Sequence, residues 1–322
     1  MKLWQISCLL TLALLTAAQP ATISLTQTVD THAGGPDTVT GPIFIGANSD
    51  NGIVTSYGPG LSYWRKNSSG LYTLFEAWTP ISTLSYLDLA QEYVTGNKFG
   101  AQPFNAQTTN IHQLNSSNQF GAPTQTLAFP GDSSTIKAIG FNTIGSKFIT
   151  GNSDGTLNVW GRDIATNTYS HREKLYGHSS PIKAISVGSL YTIISLAENG
   201  EIIDWEFNYT GGDYYSPNQL ITVPDATAVA IFPSEDSYFL VGLLNGTIRQ
   251  YNFSSSTYLF SYIGDLVTNY TSAVQDITFS ANCTRVVSTA ESMIYWQFIG
   301  GKYVATETIV GFNPLTVNIA PT

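Results

Sequence analysis

Residues 177–186 read GHSSPIKAIS, and ENGEIIDWEF follows at residues 198–207. The same two patterns occur upstream, as STIKAIGF at residues 134–141 and SDGTLNVWG at residues 153–161. In each case an apolar run precedes a Gly-containing turn and a second run that ends at or just beyond Trp. Short β-branched and aromatic runs between turn residues predict antiparallel strands. Their repetition predicts a fold built from equivalent units.

An aromatic residue occupies the same place in four successive units. TLNVW, EIIDW, TIRQY and MIYW end at Trp160, Trp205, Tyr251 and Trp296, which are about 45 residues apart. Each unit holds four strand-like runs, such as IKAIGF, KFITG, TLNVW and TYSHREKL. Long segments with a helical apolar period are absent. The pattern predicts an all-β fold, a β-propeller whose blades have four strands each.

The tight turn between the second and third runs contains Gly155, Gly200 or Gly246. A hairpin turn of this kind requires positive φ, which glycine adopts without steric cost. We therefore expect positive φ at these three glycines.

The units resemble WD40 repeats. Gly177-His178 is similar to the Gly-His pair of that family, and Asp204-Trp205 is a degenerate form of its Trp-Asp pair. The resemblance is strong over residues 134–300 and weak before them. It implies a hydrogen-bonded group of His, Ser or Thr, Asp and Trp in a blade. The matching positions are His178, Ser195, Asn199 and Trp205 in the fourth blade and Thr150, Asp154 and Trp160 in the third.

The third strands predict six blades, with seven as the alternative if residues 22–40 or the polar stretch at 98–126 hold another. FIGANSDNGIVTSYG at residues 44–58 matches FITGNSDGTLNVWG with one insertion, but no clear first strand precedes it. Residues 310–322 resemble a first strand without a blade. We expect this C-terminal strand to complete the N-terminal blade and close the ring, which removes exposed sheet edges. The expected blades are residues 42–79 with 312–322, 80–133, 134–179, 180–225, 226–272 and 273–311.

Residues 1–18 are expected to be a cleaved secretory signal. Met1 and Lys2 give a positive start, an apolar run covers residues 3–15, and small residues follow at Ala17 and Ala18. The run is short for a bilayer span. Residues 19–41 then form an N-terminal extension, and residues 42–322 form a single propeller domain of an extracellular protein.

The charge balance narrows the class of partner. The formal net charge is −9 at pH 7, and only 11% of the residues are charged. Binding to nucleic acid or to an anionic membrane surface depends on Lys and Arg, so neither is expected. The four histidines are scattered and match no metal-ligand spacing, so we expect no metal and no cofactor.

Two patterns that suggest catalysis have simpler explanations. GNSDG at residues 151–155 matches the G-x-S-x-G nucleophile elbow, but a strand follows it where the elbow requires a helix. Glu201 and Asp204 are near each other in sequence, yet strand alternation places them on opposite faces. We expect no enzymatic activity. The alternatives are a secreted propeller enzyme of the lactonase or glycosidase type and a sugar-binding, lectin-like module.

Glycosylation sequons also favour export, whereas the cysteine usage is unusual for an exported protein. Cys8 would leave with the signal, so Cys283 is either buried or bridged to another chain. Seven Asn-x-Ser/Thr sequons predict a glycoprotein, at Asn67, Asn115, Asn208, Asn245, Asn252, Asn269 and Asn282.

Two aromatic segments rich in Gly, residues 56–72 and 208–217, are predicted to be binding loops. The alternative is that their aromatic residues pack over blade edges. The expected function is a non-enzymatic scaffold for protein contacts, extended by self-assembly into an extracellular structure. The candidate interface residues are Tyr63, Trp64, Tyr214, Tyr215 and Cys283.

Overall fold

A computed structural model describes the side chains of residues 107–111, 123–128, 134–142, 145–188, 192–209, 214–233, 235–279 and 283 and of most of 286–308. It describes the backbone of further strands between residues 39 and 113 and around residue 285.

The described strands form six four-stranded sheets, and within each sheet every strand pairs antiparallel with the next one along the chain. The first sheet contains β1 Val39–Ile45, β2 Gly52–Tyr57, β3 Gly60–Lys66 and β4 Tyr72–Trp78. The second contains β5 Asp88–Gln91, β6 Lys98–Phe104, β7 Thr108–Gln113 and β8 Gln125–Ala128. The third contains β9 Ile136–Phe141, β10 Lys147–Asn152, β11 Leu157–Asp163 and β12 Thr168–Leu175.

The remaining sheets repeat this order. The fourth contains β13 Ile182–Val187, β14 Thr192–Ala197, β15 Glu201–Asn208 and β16 Tyr214–Thr222. The fifth contains β17 Ala226–Ile231, β18 Tyr238–Leu243, β19 Ile248–Ser254 and β20 Leu259–Leu266. The sixth contains β21 Asp276–Phe279, β22 Arg285–Thr289, β23 Met293–Ile299 and β24 Lys302–Ile309.

The first strands of neighbouring sheets lie next to one another, from β5 to β9, β13, β17 and β21 in turn. The fourth strand of each sheet is an edge. No helix occurs among the described residues. The predicted all-β class is therefore confirmed, with first strands on the inside and fourth strands on the outside.

The core lies between the faces of consecutive sheets. Ile149 of the third sheet packs in one cluster with Ile182, Ile193 and Trp205 of the fourth. Gly151 makes this contact close, because a Cβ added there would lie 2.4 Å from Ile182 Cγ2. Burying a side chain such as Ile182 stabilises a fold by about 1.5–3 kcal/mol.

The glycines of the tight turns have the predicted conformation. Gly155, Gly200 and Gly246 have φ of 81°, 83° and 85°. A Cβ at Gly200 would also lie 2.3 Å from the carbonyl oxygen of Val223, which leads into the next sheet. These glycines therefore allow both the turn and the close approach of the neighbouring sheet.

The first sheet departs from the predicted alignment. In five sheets the register shifts immediately before one aromatic residue of the third strand, and in the first sheet that residue is Trp64 on β3. GIVTSY is thus the second strand, and the first strand is β1, which the sequence did not reveal. Four strands are present within residues 39–78. Residues 312–322 lie outside the described residues, so ring closure and the count of six blades stay predictions.

Candidate functional site

Three side chains of the fourth sheet form a buried hydrogen-bonded triad. His178 Nε2 lies 2.6 Å from Ser195 Oγ, and Trp205 Nε1 donates to the same oxygen at 2.8 Å. β14 and β15 bring Ser195 and Trp205 together, because Ile193 pairs with Trp205. His178 lies in the segment that precedes β13. The structure thus brings together three of the four residues predicted for this blade.

The fourth residue of the hydrogen-bonded group predicted for this blade is Glu201 and not Asn199. Asn199 Nδ2 donates to Ser179 Oγ at 3.0 Å, and its Oδ1 accepts from the Glu201 amide at 3.1 Å. Glu201 Oε2 lies 3.5 Å from His178 Nδ1. The short Asn side chain caps its own turn, whereas the longer Glu at the start of β15 reaches the imidazole.

The triad is a packing element and not a nucleophile. Burial lowers the pKa of His178 to about 4, although the Glu201 carboxylate opposes this shift. His178 is therefore neutral near pH 7. Ser195 has no exposed surface. A hydroxyl that substrate cannot reach, and whose oxygen already binds an indole N–H, cannot act as a nucleophile.

The third sheet contains a reduced form of the triad. Trp160 Nε1 donates to Thr150 Oγ1 at 3.2 Å, as the predicted positions imply. Asp154 does not join them. Its Oδ1 accepts from the Thr156 amide at 3.0 Å, and its Oδ2 lies 3.6 Å from Lys174 Nζ. Asp154 therefore caps the tight turn.

The sixth sheet contains a triad that sequence reasoning missed. Tyr270 Oη lies 2.8 Å from Ser288 Oγ, and Trp296 Nε1 donates to Ser288 Oγ at 2.9 Å. Tyr270 stands where His178 stands in the fourth sheet. The signal was the similarity of NYTSA at residues 269–273 to GHSSP at residues 177–181, with a phenol replacing the imidazole.

The fifth sheet replaces hydrogen bonds with aromatic packing. Val241 and Tyr251 occupy the Ser and Trp positions, and both are buried. Tyr251 stacks on Phe239 with ring centroids 4.7 Å apart. Phe148 and Trp160 stack in the same way in the third sheet. The aromatic position is thus used in every sheet from the third to the sixth, with or without a polar partner.

Most of the predicted interface residues lie elsewhere than expected. Tyr63 and Trp64 lie on strand β3 and not in a loop. Tyr215 and Cys283 are both 4% exposed, so neither is an interface residue. The burial of Cys283 agrees with the first of the two alternatives expected for it, a buried residue rather than a bridge to another chain. Of the three candidates whose side chains the structure describes, only Tyr214, 39% exposed on β16, remains available. The packing alternative is therefore correct for Tyr215, whose ring meets Phe207 at 5.0 Å.

Four predicted sequons fall on described side chains. Asn245, Asn252 and Asn269 are exposed, and Asn208 is half-buried. Asn67, Asn115 and Asn282 lie outside the side chains that the structure describes.

The outer strand β20 presents an apolar edge. Tyr262 and Ile263 are 54% and 57% exposed, and Leu259 and the following Val267 are exposed as well. Natural sheet edges are commonly protected by Lys or Pro. β12 and β24 contain Lys and β16 contains Pro217, but β20 contains neither. Among the outer strands of the third to sixth sheets, β20 is the least protected against pairing.

The described residues contain neither a candidate metal site nor a candidate membrane span. No group of three His, Cys, Asp or Glu side chains is arranged to hold a metal ion. No helix there is long and apolar enough to cross a membrane.

Comparison with known proteins identifies the architecture. The family described as "WD domain, G-beta repeat" matches residues 121–161, which run from near the start of β8 to just past Trp160. No curated protein sequence matches the chain. The solved structure of U3-55K has a TM-score of 0.63 and 13% identity, covering 89% of this chain and 86% of that one. The crystal structure of RRP9 WD40 repeats gives 0.63 and 13%, with 89% and 85% covered.

Identity this low shows the fold alone, and the matched repeat covers β8 of the second sheet and β9 to β11 of the third. The expected resemblance to WD40 repeats is confirmed. The chain therefore has an all-β fold of the WD40 β-propeller type, and one of its repeats matches the WD40 family model.

Proposed function

We propose that this protein is an exported, N-glycosylated scaffold without enzymatic activity, and that it acts by binding protein. The apolar edge of β20, with Leu259, Tyr262 and Ile263 exposed, is the observation that carries the proposal. The similarity to WD40 repeat proteins supports a role as a scaffold for protein contacts. The triads support a structural role, because their hydroxyl and imidazole groups are buried and engaged with one another.

The partner that fits this edge best is a second copy of the chain. Two β20 strands can pair antiparallel about a two-fold axis, so that the same residues serve both copies. A register centred on Tyr262 places the two Asp265 carboxylates at opposite ends, without like-charge contact. It also buries Leu259 and Tyr262 from both copies. Backbone pairing between the copies is centred on Tyr262, because both backbone groups of Phe260 are already hydrogen-bonded to Gln219 of the same chain.

Export and glycosylation are supported by the expected signal at residues 1–18 and by exposed sequons at Asn245, Asn252 and Asn269. Expression in a eukaryotic secretory host tests both. The mature chain should begin at Gln19, and its mass should fall on enzymatic removal of N-glycans. A cell-retained, unmodified chain that begins at Met1 would refute this part of the proposal.

Site-specific photocrosslinking tests the binding role. A photoreactive phenylalanine analogue at Tyr262 should crosslink the secreted full chain to a second copy. The matched control is Tyr176, which is 70% exposed and lies beyond the end of β12 in the third sheet. Equal crosslinking at both positions, or none at Tyr262, would contradict the proposed contact. No observation on the described residues favours the lactonase, glycosidase or lectin alternatives.

A further inference from the structure

Two glutamines of the outer strands join neighbouring sheets by the same pair of hydrogen bonds. Gln125 Nε2 on β8 donates to the Tyr169 carbonyl on β12 at 2.7 Å, and the Tyr169 amide donates to Gln125 Oε1 at 2.8 Å. Gln219 on β16 does the same with Phe260 on β20, at 3.0 Å and 2.7 Å. We call Gln125 and Gln219 the bridging glutamines. Each one hydrogen-bonds to both the amide and the carbonyl of one residue on the next outer strand, as a paired strand would.

The seam between the third and fourth sheets has an acid in the same place. Glu173 on β12 pairs with Val159, immediately before the register shift, and Gln219 pairs with Asp204 at the equivalent point. Tyr215 is the second residue of its strand, as Tyr169 and Phe260 are of theirs. The Tyr215 amide donates to Glu173 Oε2 at 2.9 Å. One half of the bridging contact is therefore present.

The other half depends on protonation. The bridging glutamines donate an N–H to a carbonyl oxygen, and an ionised carboxylate has no hydrogen to donate. A neutral Glu173 has one, and it can then give the Tyr215 carbonyl the bond that the amides give. We propose that Glu173 makes the seam between the third and fourth sheets a pH-sensitive latch, which tightens on acidification and loosens as pH rises.

The surroundings of Glu173 agree with this assignment. Burial raises its pKa above the ordinary value of 4.5, against the opposing effects of the Tyr215 amide and the Lys147 charge. Lys147 Nζ lies 3.4 Å from Tyr215 Oη and 3.8 Å from the centroid of the Phe207 ring. From the fifth sheet, the negative charge of Asp236 helps to raise the pKa of the Tyr215 phenol. On β12 itself, the other titratable groups near Glu173 are His171 and Lys174.

The direction of this pH dependence follows from proton linkage. A carboxyl whose pKa is raised in the folded state binds more protons when folded than when unfolded. Its stabilising effect is complete below 4.5 and is lost as pH rises through the raised pKa. The seam should therefore hold most tightly in mild acid.

Hydrogen exchange of the wild-type full chain tests the latch with controls inside the molecule. After correction for intrinsic rates, the Tyr215 amide should exchange about fivefold faster at pH 8 than at pH 5, the effect of one lost hydrogen bond. The Tyr169 and Phe260 amides, which face the bridging glutamines, should show no such change. Equal pH dependence at all three amides, or none at Tyr215, would overturn the proposal.

Matched substitutions provide a second measurement. Glu173→Gln should remove the pH dependence at Tyr215 and raise the Tm at pH 8 by roughly 2 °C, with little change at pH 4.5. Gln219→Glu should transfer the pH dependence to Phe260. A Glu173→Gln variant with the same Tm shift at both pH values would show that the residue only packs.

Discussion

Tyr270 Oη lies 2.8 Å from Ser288 Oγ, and His178 Nε2 lies 2.6 Å from Ser195 Oγ, so a phenol and an imidazole fill the same place in two sheets. In both cases a Trp of the third strand donates to the serine. The common requirement is a buried hydroxyl that receives an indole N–H and a second polar ring. Either an imidazole or a phenol can serve as this second ring.

Removal of either serine should destabilise the fold. Ser195→Ala and Ser288→Ala each leave a buried indole N–H without its acceptor, which costs about 1–3 kcal/mol. Chemical denaturation of the full chain measures the change in the free energy of unfolding. Ser170→Ala is the control, because Ser170 is exposed on β12. An equal loss in all three variants would contradict the role of the triads.

His178 should make the protein sensitive to acid. Its folded pKa of about 4 lies below the ordinary 6.5, so its stabilising effect is present above 6.5 and is lost as pH falls towards 4. The shift corresponds to at most about 3 kcal/mol. His178→Tyr copies the sixth sheet and should reduce this loss. Denaturation of both proteins at pH 7 and pH 4.5 gives the comparison, and parallel losses would exclude His178 as the cause.

Asp204 should act in the opposite direction. It is buried on β15, where its Oδ2 accepts from Asn218 Nδ2 at 2.9 Å. Burial raises the pKa of Asp204 to about 7, so its stabilising effect is lost as pH rises through 7. Asp204→Asn keeps the acceptor for Asn218 and should raise the Tm more at pH 8 than at pH 5, because the loss begins above the ordinary pKa of 3.8. A Tm that falls equally at both pH values would show that the carboxyl is needed as such.

Gly200 should tolerate no side chain. Gly200→Ala combines positive φ with a Cβ placed 2.3 Å from the Val223 carbonyl oxygen, so backbone must move. We expect a loss of more than about 1 kcal/mol in the free energy of unfolding. Gly300→Ala is the control, because its φ is also positive but nothing lies within 4 Å of the added Cβ. Equal losses would assign the effect to φ alone.

The repeat was predictable from sequence because the buried aromatic of each third strand and the turn glycine recur at a fixed interval. Trp64 was missed because Gly58, Pro59 and Gly60 shortly before it resemble a loop, although Gly60 is the first residue of strand β3. Glu201 was missed because only the folded structure shows that its side chain is long enough to approach the His178 imidazole.

The outer strands were less predictable. In sequence, nothing distinguishes Gln125, Glu173 and Gln219 from the polar residues around them. Only the register of neighbouring sheets shows that each one bonds to the backbone of the next outer strand. The apolar edge of β20 was visible as LFSYIGDL, but its exposure depends on what covers it. Pattern therefore predicts what is buried within a sheet better than what joins one sheet to the next.

The most direct test of the proposed function is the molar mass of the secreted, glycosylated protein by light scattering coupled to size-exclusion chromatography. The wild-type chain should elute as a dimer or larger, and Ile263→Lys, which protects the edge of β20 with a charge, should elute as a folded monomer. Ile164→Lys, at a still more exposed site in the turn between β11 and β12, should leave the wild-type mass unchanged. A monomeric wild-type chain, or an Ile263→Lys variant of unchanged mass, would contradict self-association through β20.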